Sequence, residues 1–257
     1  MRAIKSVLFF LSLTGLAPCS VKADSPSAKF GPEDNIDYAI IVTGNELLSG
    51  VYADGHTLYL TKTLRPLGLH CVSSISVEDQ ADEMRQALQF AASRANLILV
   101  TGGLGPTDSD ITREVLSDFT NIPLQEHPDV LRHLENRFNT KRDQLRTNLR
   151  RQTCVPTQGT YLPNDDGTSV GLVFETDSLV IVALPGPPRE LQPMVRNQLV
   201  PYLARNYGVH TLGASLTIRF VGLGQSQIDQ ILKDQIALPN DIMQTSQFES
   251  GPVSYTH

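Results

Sequence analysis

Residues 97–110 read LILVTGGLGPTDSD, an apolar run that leads directly into a glycine-rich loop. Four consecutive apolar residues at 97–100 are typical of a strand buried on both faces, as in a parallel sheet. The three glycines leave the main chain open to positive φ and to the close approach of another group. A helix is predicted from about residue 111 to 119, and its free N–H groups would face the same space. The stretch therefore predicts a strand, a loop and a helix arranged to bind phosphate.

Two carboxylates, Asp108 and Asp110, precede the predicted helix. Aspartate is a preferred N-cap residue, so Asp110 is a candidate cap for the helix. The same side chain is also a candidate for ligand chemistry, because it would lie beside the phosphate. On the residues alone, both interpretations stay open.

Further along the chain in both directions, apolar runs at residues 38–43 and 179–184 also have the length of buried strands. A strand is predicted at 70–77, with helices at 56–67 and 78–94 on either side of it. Strands that alternate with helices indicate βαβ units and a mainly parallel sheet. A hairpin is predicted from residues 161–162 and 170–174, and further helices at 129–139 and 144–152. The fold class is therefore α/β.

Polar residues follow two of these apolar runs. Gly44 and Glu46 come directly after the first run, and Gly186, Arg189 and Glu190 come after the last. If the strands are neighbours, their carboxyl ends form one crevice, which is where open α/β sheets bind ligands. Arg189 is expected to pair with a phosphate there, and Glu190 to cap the following helix.

A further polar pair lies on the predicted helix at residues 144–152. Asn148 and Gln152 are four residues apart and so share a helix face. A pair of surface amides is the simplest interpretation of that spacing.

Composition limits the classes of function. The 257 residues are 40% hydrophobic and 19% charged, which is typical of a packed globular protein. The formal net charge is −6, and a protein that binds nucleic acid usually shows a basic excess. We therefore expect no nucleic-acid partner.

The N-terminus has the three regions of an export signal. Arg2 and Lys5 are followed by an apolar stretch at 7–17 and by a small-residue cleavage site ending at Ala23. The apolar stretch is too short to span a membrane, so no stable membrane span is expected in the mature form. We expect residues 1–23 to be a signal peptide and the protein to be periplasmic or secreted. The alternative is a wrongly chosen start codon and a cytoplasmic protein.

The rest of the chain divides into three parts. Residues 24–35 are polar with Pro and Gly, and are predicted to be a linker. Residues 36–208 hold the alternating strands and helices of the main domain. Residues 209–257 predict a partial small α/β domain, with strands at 215–221 and 241–247 around a helix at 225–236.

Several motifs together resemble the N-terminal domain of the competence/damage-inducible CinA family and its molybdopterin-binding relatives. The loop at 101–107 followed by ITRE at 111–114 is similar to the family signature. GNELL at 44–48 resembles the opening motif, and LPGPP at 184–188 lies in the family order. The resemblance spans about residues 37–247. It implies a three-layer αβα sandwich shared with molybdenum-cofactor proteins, and a homodimer is a further expectation.

The resemblance also implies an activity, which is hydrolysis of the pyrophosphate bond of ADP-ribose with a divalent metal. Glu46 and Asp110 would hold Mg²⁺, and Asp110, Glu46 and Asp108 are the catalytic candidates. The alternative is a module that binds molybdopterin or a nucleotide without turnover. The ligand-binding candidates are Gly44, Gly102, Gly103, Gly105, Thr107, Asn148, Gly186 and Arg189.

Two positions depart from the family pattern. The family has adjacent aspartates after the loop, where this chain has Ser109 and Asp110. Asp108 either substitutes for the missing carboxylate, or a metal ligand is lost. His56 stands where the family commonly has Asn, and it is expected either to start the helix or to hydrogen-bond a ligand.

Overall fold

The structure, a computed structural model, describes residues 36–209 and 224–235. The chain divides into two compact units, residues 1–213 and 214–257, and each described range belongs to one of them. The predicted signal peptide and linker, and the predicted strands at 215–221 and 241–247, lie outside the described residues. No helix in the described ranges is long and apolar enough to cross a membrane.

The described residues form eight strands and nine helices. The strands are β1 Ile36–Thr43, β2 Leu69–Val77, β3 Leu97–Thr101, β4 Leu124–Glu126, β5 Cys154–Pro156, β6 Gly159–Leu162, β7 Gly171–Glu175 and β8 Val180–Leu184. The helices are α1 Asn45–Leu48, α2 Gly55–Leu64, α3 Ala81–Ala92, α4 Thr112–Thr120, α5 Pro128–Phe138, α6 Thr147–Arg151, α7 Pro188–Met194, α8 Val200–Tyr207 and α9 Gln225–Gln235.

Six strands form one mixed sheet in the order β2-β1-β3-β8-β7-β6. The pairs β2–β1, β1–β3 and β3–β8 are parallel, whereas β8–β7 and β7–β6 are antiparallel. At the centre of the sheet Leu99 pairs with Ile40 on one side and with Val182 on the other. The predicted mainly parallel sheet and the β6–β7 hairpin are confirmed.

Helices cover both faces of the sheet, because alternate residues of each strand point to opposite sides. On one face Ile40 belongs to a core with residues of α2, α7 and α8. On the other face Ile41 belongs to a core with residues of α3, α4 and α5. The three-layer αβα architecture that the resemblance implied is confirmed.

Two features of the main domain were not predicted. Strands β4 and β5 form a separate two-stranded antiparallel sheet. Their three-residue length leaves no periodicity for the sequence to reveal. Helices α7 and α8 are joined through a π-helical turn at Val195–Leu199, which directly follows a turn of α7 containing Pro193. Proline lacks an N–H group, and a π turn is one way for a helix to continue past such a disruption.

We expect Leu99→Ala to lower the free energy of unfolding by about 2–5 kcal/mol, because it opens a cavity in the central strand. Leu99 is fully buried. Urea denaturation measures the change. The matched control is Leu58→Ala, whose side chain on α2 is 55% exposed. That variant should stay within about 0.5 kcal/mol of the unchanged protein. Equal losses in the two variants would contradict the central position of β3 in the core.

Candidate functional site

Three loops meet at the carboxyl edge of the parallel strands. The Gly102 N–H donates to the carbonyl of Leu184 at 3.0 Å, so the loop after β3 lies against the end of β8. A Cβ at Gly102 would lie 2.5 Å from the carbonyl oxygen of Thr43 at the end of β1, and its φ is +99°. Only glycine fits there. A Cβ at Gly186 would lie 3.5 Å from the Gly102 Cα. The strand ends therefore converge as predicted.

The loop after β3 turns three successive carbonyls toward hydrogen-bond donors of the protein. The Thr112 hydroxyl donates to the Gly102 carbonyl at 2.9 Å. The Thr112 N–H donates to the Gly103 carbonyl at 3.1 Å. The Leu104 carbonyl accepts from buried side chains, among them the hydroxyl of Ser169 at 2.5 Å. The start of α4 and the loop of the β6–β7 hairpin thus hold the inner side of the glycine-rich loop.

The N–H groups of the same three peptides face the other way. A trans peptide places its C=O and its N–H on opposite sides, and the described chain has no cis peptide bond. Within residues 36–209 the N–H groups of Gly103, Leu104 and Gly105 donate no hydrogen bond to the protein. Gly103 and Gly105 are half-buried. Successive free N–H groups form an anion-binding concavity, so the loop can hold phosphate oxygens.

Asp110 does not cap α4, and this corrects one of the two interpretations of that residue. The N-cap is Ile111, which makes no side-chain hydrogen bond. The Asp110 Oδ2 instead accepts hydrogen bonds from the N–H of Thr107, at 2.9 Å, and from the Thr107 hydroxyl. Local bonding of this kind competes with capping, since a short carboxylate reaches nearby backbone donors equally well. Asp110 therefore closes the loop around Thr107.

The neighbours of Asp110 lie further toward solvent. Asp108 and Ser109 are both exposed. The Ser109 hydroxyl is 3.0 Å from the Thr107 hydroxyl. Ser109 thus joins the same hydrogen-bonded turn as Asp110, whereas no described hydrogen bond places Asp108 in it.

Arg151, which sequence reasoning missed, supports this turn from α6. Its Nη2 donates to the Asp110 carbonyl at 3.0 Å, and its Nε donates to Glu114 at 3.0 Å. The guanidinium, paired with Glu114, ties α4 and α6 to the turn at Asp110. Arg151 is 41 residues from Asp110 along the chain, and the sequence carries no signal for that contact.

The loop after β1 carries the second carboxylate. Glu46 is exposed on α1, and its carboxylate lies against Gly44, where a Cβ would be 2.9 Å from Oε1. The Thr43 hydroxyl donates to Asp79, which follows β2, and the Asp79 N–H donates to the Asn45 side chain at 3.1 Å. This loop is therefore fixed to the neighbouring strand end.

His56 faces the same edge from the first turn of α2, which begins one residue earlier, at Gly55. Asp54 is the N-cap of that helix and accepts from the N–H groups of His56 and Thr57. The His56 ring Nδ1 lies 2.9 Å from the Thr101 hydroxyl at the end of β3. Burial lowers the pKa of His56 below 6.5, against the opposing effects of the Asp54 charge, a backbone bond to Gly186 and the Glu46 charge. The ring is held mainly uncharged at neutral pH.

The loop after β8 leads into α7, where Arg189 faces solvent and Glu190 bonds to the hairpin instead of capping the helix. The Arg189 side chain is 82% exposed and lies 3.8 Å from Glu190. Glu190 does not cap α7, whose N-cap is Pro187. Its Oε2 accepts from the Asn164 amide at 2.9 Å, because that buried amide in the hairpin loop needs an acceptor. Glu190 thus joins the α7 terminus to the hairpin.

Asn148 and Gln152 are not a surface amide pair, and that interpretation is corrected. Asn148 is exposed, and its side chain accepts from the Leu149 N–H at 2.9 Å. Gln152 is fully buried and donates to the Leu104 carbonyl at 3.2 Å. Helix α6 ends at Arg151, so Gln152 turns inward past the last helical residue.

The described side chains do not form a metal site by themselves. Across the parts of the chain that the structure describes, no three His, Cys, Asp or Glu side chains are grouped to hold a metal ion. Mg²⁺ commonly binds through one or two carboxylates, several waters and substrate phosphates. A site for Mg²⁺ in this part of the chain would therefore need ligands from a bound phosphate as well as from the protein.

Comparison with known proteins shows the family of the chain. Residues 39–205 match the family model described as "probable molybdopterin binding domain". A competence-damage inducible protein of Symbiobacterium thermophilum is 40% identical over 204 residues, which are 79% of this chain and 48% of that protein. The corresponding protein of Streptococcus gordonii is 37% identical over 203 residues, again 79% and 48%.

A solved structure shows the same fold. The crystal structure of the protein CinA from Thermoplasma acidophilum, whose function is given as unknown, matches with a TM-score of 0.61 at 24% identity. The match covers 65% of this chain and 99% of that chain. The chain spans about half the length of the curated relatives it matches.

We expect the free energy of unfolding to fall as the pH is lowered from above 6.5 toward the folded pKa of His56. The folded state resists protonation of the buried ring, so below pH 6.5 the unfolded state binds more protons. Urea denaturation at a series of pH values measures the effect, and NMR titration reports the His56 pKa directly. His56→Asn should remove this part of the dependence. A His56 pKa at or above 6.5 would contradict the role of burial.

Proposed function

The chain belongs to the family of probable molybdopterin binding domains, and from that premise we propose that it binds a phosphate-bearing, nucleotide-like ligand and hydrolyses its diphosphate bond with a divalent cation. The observation that carries the proposal is the run of free N–H groups at Gly103, Leu104 and Gly105. Three donors on successive residues match the several oxygens of a diphosphate.

ADP-ribose is the proposed substrate. The competence/damage-inducible resemblance associates this domain with hydrolysis of the pyrophosphate of ADP-ribose, and the competence-damage inducible protein of Symbiobacterium thermophilum is 40% identical over 204 residues. The convergence of the loops after β1, β3 and β8 supports a ligand with both a diphosphate and sugar groups. The diphosphate would lie on the glycine-rich loop, with His56 and Glu46 at the neighbouring strand end.

The residues of the chain would have separate tasks in this reaction. The loop N–H groups would bind and orient the diphosphate, and Arg151, which is paired with Glu114 and donates to the Asp110 carbonyl, would hold the neighbouring turn in place. Glu46 and Asp110 would hold Mg²⁺ together with the phosphate oxygens. A bound divalent cation supplies polarisation of a phosphoryl oxygen and activation of water.

A second candidate function is binding of molybdopterin or a nucleotide without turnover. One observation favours it. The Asp110 Oδ2 is engaged by both the N–H and the hydroxyl of Thr107, and Ser109 stands where the family has a second aspartate. A carboxylate that closes its own loop is less free to hold a cation. The loop N–H groups serve this function equally well.

Isothermal titration of the purified chain with ADP-ribose, with and without Mg²⁺, separates the two functions when AMP release is measured on the same samples. The hydrolase proposal expects binding with metal-dependent AMP release that a chelator abolishes. Binding that persists in chelator without AMP release would support the second candidate. Absence of binding would exclude ADP-ribose and make molybdopterin the ligand to test.

We expect Asp110→Asn to lower AMP release at saturating ADP-ribose by about 100-fold or more, because it removes a charge that holds the cation near the transition state. The matched control is Asp118→Asn on the far end of α4, where the carboxylate is 71% exposed. That variant should retain full activity. Unchanged turnover in Asp110→Asn would remove Asp110 from the proposed chemistry.

A further inference from the structure

Three buried side chains converge on one carbonyl of the glycine-rich loop. The Leu104 oxygen accepts from the Ser169 hydroxyl at 2.5 Å, from the Gln152 amide at 3.2 Å and from Arg113 Nη2 at 3.4 Å. Gln152 also donates to the Ser169 hydroxyl. Leu104 is 2% exposed, Ser169 is 5% exposed, and Gln152 and Arg113 are fully buried. We call these three donors the Leu104 clamp.

The composition of the clamp is unfavourable for stability alone. The Arg113 guanidinium is held away from water. This burial lowers its pKa, and the nearby Glu114 charge acts in the opposite direction. The Arg113 Nε and Nη1 and the Gln152 Oε1 have no hydrogen-bond partner in the described protein. Buried charges usually require full pairing, and an apolar residue of similar shape would often be at least as stable. An incompletely paired arginine behind a loop therefore points to a role in holding that loop.

The clamp is connected to the third loop of the site. The Asn164 amide donates to the Ser169 carbonyl at 2.7 Å and to Glu190 at 2.9 Å. Glu190 is only 11% exposed at the side chain, and it lies in the first turn of α7, the helix that follows the Gly186 loop. Hydrogen bonds thus link Glu190 in α7 to Asn164 and Asn164 to the backbone of Ser169, whose hydroxyl reaches the Leu104 carbonyl.

We propose that Ser169, Gln152 and Arg113 are positioning residues for ligand binding, and that the Ser169 hydroxyl, which both donates to the carbonyl and accepts from Gln152, is the central member of the group. The inference rests on the proposed function of the glycine-rich loop. By fixing the Leu104 carbonyl inward, the clamp fixes the Gly105 N–H in the opposite direction, toward the anion. Without the Ser169 hydroxyl, only the two longer bonds restrain this peptide, and glycine at 105 allows it to rotate.

The test compares two serine variants of the full chain. Ser169→Ala removes the clamp hydroxyl. Ser117→Ala is the matched control, since the Ser117 hydroxyl also donates to a backbone carbonyl, that of Ile122, at 2.7 Å near the end of α4. Titration with inorganic pyrophosphate measures affinity. Amide order parameters from NMR measure the mobility of the Gly105 N–H in the ligand-free protein.

We expect Ser169→Ala to weaken pyrophosphate binding about five- to tenfold, because one hydrogen bond that orients the Gly105 N–H is lost. The order parameter of the Gly105 amide should fall in the same variant. Ser117→Ala should lower thermal stability to a similar extent and leave both other measurements unchanged. Gln152→Met, which removes the second donor with little change of volume, should act in the same direction as Ser169→Ala.

Two results would overturn the proposal. One is unchanged affinity together with an unchanged Gly105 amide in Ser169→Ala. The other is an equal loss of affinity in Ser169→Ala and Ser117→Ala, which would assign the effect to stability. If the unchanged protein does not bind pyrophosphate, the proposed function fails, and the ligand-free order parameter alone decides: a more mobile Gly105 amide in Ser169→Ala supports the clamp, and an unchanged one overturns it.

Discussion

The planarity of the peptide group is the constraint on which the site of this protein depends. Because each C=O and the following N–H point in opposite directions, fixing the carbonyls of Gly102, Gly103 and Leu104 inward fixes three N–H groups outward. The donors that hold those carbonyls come from the start of α4, the end of α6 and the hairpin loop. Elements that look like scaffolding therefore determine the geometry of the binding surface.

Much of the main domain could be predicted because its signals are local. The apolar runs at β1, β3 and β8 are buried on both faces, and no other kind of element needs so many consecutive apolar residues in so short a length. Neighbouring parallel strands bring their carboxyl ends to one edge. The glycines after β1, β3 and β8 therefore had to lie together once the strands were adjacent, and Gly102 does lie against the ends of both other strands.

The partners within the site could not be predicted in the same way. Gln152 and Ser169 are 48 and 65 residues from Leu104, and periodicity says which face a residue occupies but not which atom it contacts. The prediction that Asp110 caps α4 was wrong for a different reason. A helix terminus and a tight turn offer the same carboxylate equally accessible N–H donors, and the sequence does not show that Thr107 supplies both an N–H and a hydroxyl.

The position of the unfavourable features is itself informative. Positive φ at Gly102 and Gly103 and the incompletely paired Arg113 lie in or behind one loop, directly after a strand, β3, that is buried along its whole length. If stability alone had determined these residues, an apolar side chain would be expected at position 113. In a core that excludes water, a charge without full pairing costs free energy that an apolar side chain does not. A conflict between local stability and the residue present is expected where a ligand sets the geometry. The buried arginine is therefore better explained by its hold on the Leu104 carbonyl, which orients the loop, than by a contribution to stability.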